Sequence, residues 1–79
     1  MATFSLSKTT KISRIIDQAE IALKETKKIT IIGEDLASVK AVTLAEQLKS
    51  KFPSITQINK TYLNGNYSVL EIELKLIEN

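Results

Sequence analysis

The chain has no cysteine, no histidine and no tryptophan, and it carries only two glycines, one proline, two tyrosines and two phenylalanines. Without thiols, neither disulfides nor thiolate metal sites can reinforce the fold. Without imidazole or thiol, the commonest general base and the strongest side-chain nucleophile are missing, so the expectation is a protein that is not an enzyme and needs no metal or cofactor. Arginine is nearly absent too: Arg14 stands alone beside ten lysines. Since the arginine fork is the usual reader of base edges, sequence-specific reading of a duplex is not expected. No apolar run approaches the length of a membrane span, and Met1-Ala2-Thr3-Phe4-Ser5 lacks the apolar stretch of a signal peptide. These absences point to a soluble intracellular protein, of cytoplasm, nucleoid or nucleus, with no membrane partner and no small-molecule substrate.

What is present fits one domain covering residues 1–79. Such a chain hides only about 60% of its unfolded surface, so a core made from 43% apolar residues is thin and a partner subunit would help it. Phe4 and Leu6 alternate with Thr3, Ser5 and Ser7, which predicts a short half-buried strand over 3–7. Thr9 or Thr10 can then cap a helix over about 11–26, whose inner face is Ile12, Ile15, Ile16, Ala19 and Leu23. Ile29-Thr30-Ile31-Ile32 reads as a central strand that stops at Gly33. Asp35 can cap a second helix, roughly 36–51, with Ala37, Ala41, Leu44 and Leu48 inward and Phe52-Pro53 as its stop. Residues 55–63 predict a less regular strand, and Asn64-Gly65 a tight turn. A last strand places Leu70, Ile72, Leu74 and Leu76 on one face, and Glu71, Glu73 and Lys75 on the other. The order βαβαββ predicts an α/β fold (two-layer α+β), a mixed four-stranded sheet with two helices packed on one face.

The lysines divide into two groups. Lys24, Lys27, Lys28, Lys49 and Lys51 fall at helix C-termini, where cations are favoured, and Glu20 precedes Lys24 at the spacing of an intrahelical pair. Lys8, Lys11 and Arg14 fall instead around a helix N-terminus, where the dipole opposes positive charge and no acid precedes Asp17. Three cations among exposed helix N–H groups suit a phosphate. Glu34 and Asp35 occupy the equivalent end of the second helix, and phosphate should avoid it. Tyr62 and Tyr67 flank the turn and fit either base stacking or, more ordinarily, a cross-strand contact.

The stretch ITIIGEDLASVKAVTLAEQLKSKF, residues 29–52, resembles the central strand and second helix of Alba-family proteins, with Val39-Lys40-Ala41-Val42 and Lys51-Phe52 fitting the pattern. Leu6-Ser7-Lys8-Thr9-Thr10 is similar to the family's Gly-Lys-Lys-Pro loop. The resemblance implies a dimeric binder of RNA or DNA in chromatin or ribonucleoprotein particles. It also implies that the contacts come from the first loop, the loop before the second helix, and a long basic hairpin. Here Thr9 replaces the second lysine, Glu34 and Leu36 stand where basic residues are usual, and the hairpin is read as only Asn64-Gly65-Asn66 without arginine. The expected backbone contacts are Lys8, Lys11 and Arg14, with Lys40 as a fourth. The expected dimer interface is Val39, Val42 and Phe52 on the second helix, beside Val69 and Ile77 on the polar side of the last strand, pairing with the same or another Alba-type chain. An alternative reading makes the chain an interaction subunit that pairs with a more basic relative, as in ribonuclease P or MRP. A third, the similar fold of the initiation factor 3 C-terminal domain, is favoured less by the Val39-Lys40-Ala41-Val42 helix start.

Overall fold

Residues 2–77 are described by a computed structural model. Strand β1 (Ala2–Leu6) leads to helix α1 (Ile12–Thr26), then β2 (Lys28–Glu34), a 3₁₀ turn (Asp35–Ala37), helix α2 (Ser38–Lys51), β3 (Ile55–Asn64) and β4 (Tyr67–Leu76). The strands form one sheet in the order β1-β2-β4-β3, with β1 parallel to β2 and β4 antiparallel to both of its neighbours. The final hairpin thus inserts β4 beside β2, and β3 becomes an edge. This is the expected α+β architecture.

Alternation along the central strands decides where the core lies. Ile29 and Ile31 of β2 pair with Leu74 and Ile72 of β4 and face the helices together. Ala19 and Leu23 of α1 and Ala41, Leu44, Ala45 and Leu48 of α2 close over them, all fully buried. Each large side chain so buried contributes about 1.5–3 kcal/mol. Ile12, Ile15 and Ile16 are only partly covered, because the N-terminal half of α1 lies toward the rim of this core.

Several local expectations are corrected. Strand β2 does not stop at Gly33. That residue pairs in register with both Leu6 and Leu70, and its missing side chain lets the next turn come close: a Cβ there would lie 2.6 Å from the Ala37 carbonyl oxygen. Asp35 does not cap α2. It opens the 3₁₀ turn in the left-handed region at φ 52°, and α2 begins at Ser38 with no capping side chain. Neither Thr9 nor Thr10 caps α1. The Thr10 hydroxyl accepts the Ser7 N–H at 2.9 Å, so it closes its own loop, and Lys11 is left at the cap position. Glu20 pairs with Lys51 of α2 rather than with Lys24, whose ammonium sits 5.7 Å from the centre of the Phe52 ring. Val69, expected to be exposed, is 1% exposed.

The largest departure concerns the hairpin. Strands β3 and β4 are ten residues each, paired without interruption from Ile55↔Leu76 to Asn64↔Tyr67. Every residue from 58 to 68 is exposed, and the molecule measures 41 × 23 × 20 Å. The hairpin is therefore an arm reaching past the helices, not a short turn.

Candidate nucleic-acid interface

The first loop is held by its own side chains. Besides the Ser7–Thr10 bond, the Ser7 hydroxyl lies 3.0 Å from the Thr9 hydroxyl and 3.1 Å from that of Thr10, and the Thr10 N–H donates to the Ser7 carbonyl at 3.1 Å. Small hydroxyl residues favour such closures because they offer the backbone a local partner. The closed loop delivers Lys8 to the surface and sets Lys11 at the start of α1. Arg14 follows one turn later, three residues on, on the same side of the helix. All three are exposed, and none has an ion-pair partner among the described residues. The first turn of α1 holds no acidic residue, and no side chain caps it. The predicted cation group is thus brought together around a helix N-terminus.

Lys40, expected as a fourth contact, has a hydrogen-bond partner on the first loop. Its ammonium donates to the Thr10 carbonyl across thirty residues of sequence and is partly buried. It ties α2 to the first loop. This role needs the tertiary fold, and nothing in the local sequence signals it.

Pairing of β1 with β2 sets the first loop beside the loop that follows Gly33. Between them lies a cavity of about 270 Å³ lined by Leu6, Ser7, Lys8, Glu34, Asp35, Leu36, Ala37 and Tyr67. Leu36 is 70% exposed and Tyr67 58% exposed, although both edge this cavity. Tyr67 and Tyr62 share the sheet face opposite the helices. Tyr62 sits opposite Val69 and Tyr67 opposite Asn64, so the two are diagonal cross-strand neighbours on one face. Lys60 is the one cation among residues 58–68 of the arm. No group of three or more acidic, histidine or cysteine residues is arranged to hold a metal among the described residues.

The remaining expected residues divide. Val39 and Val42 stand outward on α2, 67% and 44% exposed. Phe52 is half-buried against the core and under Lys24, so much of its surface is already covered. Ile77 is 46% exposed. Of the helix-end lysines, Lys28 pairs with Glu73 at 3.4 Å and Lys49 with Glu46 at 3.6 Å. The Lys51–Glu20 pair holds the Lys51 ammonium above its ordinary pKa of 10.5, chiefly through its hydrogen bond to the carboxylate. No helix among the described residues is long and apolar enough to cross a membrane.

Comparison with known proteins agrees with this geometry. The model of the Alba family matches residues 2–64, from β1 to the tip of the arm. Among solved structures, Alba from Thermoplasma volcanium superposes with a TM-score of 0.66 at 19% identity, covering 92% of this chain and 98% of that one. No curated protein sequence matches the chain. With most of its length inside one family model, and the same fold in a solved Alba protein, the chain belongs to the Alba family.

Proposed function

We propose that the protein binds nucleic acid through the phosphate backbone, without catalysis, as an intracellular component of chromatin or of a ribonucleoprotein particle. Lys8, Lys11 and Arg14 are the contacts. The observation that carries this reading is their placement: three exposed, unpaired cations around a helix N-terminus with no acid and no cap. Each cation placed there opposes the dipole by about 0.3–1 kcal/mol. A bound phosphate reverses the sign, because it accepts from the free N–H groups and pairs with the cations. The backbone share of the affinity then comes from counterion release and by itself carries no sequence information. Alba proteins generally bind nucleic acids and often dimerise, which agrees with this reading.

Single-stranded RNA suits the arm better than a duplex groove does. An arm tracking a groove needs cations along its length, and the exposed stretch 58–68 has Lys60 alone, whereas exposed Tyr62 and Tyr67 offer stacking faces. Val39 and Val42, adjacent on the outer side of α2, favour association with a second copy or a more basic relative.

The test compares two double variants in fluorescence anisotropy with a labelled single-stranded RNA at low salt. Lys8→Ala with Lys11→Ala weakens binding about tenfold or more, while Lys27→Ala with Lys28→Ala changes it less than about twofold. Equal losses from the two pairs would refute this assignment of the contacts.

A further inference from the structure

The acidic second loop has no use in a phosphate site, yet it faces the basic first loop across the cavity. Resting on the backbone reading above, we propose that this cavity takes one nucleobase of the bound single strand and prefers guanine. The size fits. About 270 Å³ is just below the range of pockets that hold drug-sized ligands, so it suits one planar base better than a larger group. The walls fit as well. Tyr67 supplies a π face and Leu36 an apolar edge, both exposed at the mouth, where a base can stack and displace water. The charges then follow the polarity of a nucleotide. Lys8, on the α1 side, meets the phosphate, while Glu34 and Asp35 repel phosphate and accept N–H groups. Guanine alone among the bases presents two adjacent donors on its Watson–Crick edge, the N1–H and the 2-amino group, and one carboxylate can accept both. Adenine and cytosine present a single amino group beside an acceptor that a carboxylate repels. The same loop that lowers affinity for a duplex thereby becomes a reader of an unpaired base.

The experiment measures anisotropy of the intact protein with uridine-rich ten-nucleotide RNAs that carry one central guanine, inosine or adenine. Guanine is expected to bind about tenfold more tightly than adenine, since a bidentate base contact commonly discriminates by that much or more. Inosine, which lacks the 2-amino group, falls between them. Asp35→Asn combined with Glu34→Gln brings guanine and adenine within about twofold of each other. Tyr67→Ala weakens the guanine RNA about tenfold, and Tyr67→Phe restores it. Circular dichroism on each variant separates loss of binding from loss of fold, and the Tyr67→Phe comparison stands if Tyr67→Ala unfolds. Equal affinities for guanine and adenine in the parent protein, with binding still weakened by salt, would overturn the base pocket and leave the phosphate reading standing. Absence of salt-sensitive binding to all three RNAs would overturn the phosphate reading itself, and the pocket with it.

Discussion

Gly33→Ala isolates the contact that seats the second loop. No positive φ constrains Gly33, so alanine can adopt its backbone conformation, and only the available space is tested. A Cβ would lie 2.6 Å from the Ala37 carbonyl oxygen, 2.9 Å from its carbonyl carbon and 2.9 Å from the Ser38 Cα. All three are backbone atoms, so no side chain can rotate away. Either the 3₁₀ turn and the start of α2 shift, or β2 slides against β1 and β4. Overpacking of this kind costs about 1–3 kcal/mol, and backbone neighbours put it at the upper end. Alanine restores about 0.4–1 kcal/mol by restricting the unfolded chain. The net is about 2 kcal/mol, which lowers Tm by roughly 8–16 °C in a domain of this size. Thermal unfolding followed by circular dichroism measures it. Gly65→Ala is the comparison: its Cβ meets nothing within 4 Å, but its φ of 66° penalises a side chain by about 1 kcal/mol. A Tm for Gly33→Ala within about 2 °C of the parent, or above that of Gly65→Ala, would refute the close-approach reasoning.

Further predictions concern the ion pair and the outer face of α2. Because Lys51 is raised above 10.5 by Glu20, its pair contributes fully below pH 10.5, and the contribution is lost as pH rises through the raised value. Glu20→Gln should therefore flatten the decline of Tm above about pH 10.5; an unchanged alkaline decline would contradict the pairing. Val39→Glu with Val42→Glu should convert a micromolar dimer to a monomer in sedimentation while altering Tm by less than about 3 °C once dissociation is accounted for. A parent protein that sediments as a monomer would contradict the interface.

How far the sequence alone revealed this arrangement depended on whether the relevant contacts were local. Leu70 to Leu76 and Ile12 to Leu23 carry their burial as period, so β4 and α1 could be read directly. The placement of Lys8, Lys11 and Arg14 around the start of α1 was legible because charge against a helix dipole is a local conflict. Strand 55–63 and its turn were read from the sequence, but the reach of the arm was not, since the start of β4 at Tyr67 and the exposure of residues 58–68 come only from the pairing of the two strands. Asp35 looked like a cap because a cap is judged from its neighbours, whereas in the fold it opens a 3₁₀ turn in the left-handed region. The inward turn of Lys40 and the cavity between Lys8 and Glu34 both depend on β1 lying beside β2, a contact between residues far apart in the chain.

The central claim, that Lys8, Lys11 and Arg14 hold phosphates, is tested most directly by the salt dependence of binding to a single-stranded RNA. Three single-strand contacts give a slope of log K against log salt of about −2, and a dimer engaging both copies about −4. Replacing all three residues by alanine should bring the slope to about −1 or shallower. A triple variant that keeps both the parent slope and the parent affinity would contradict the account.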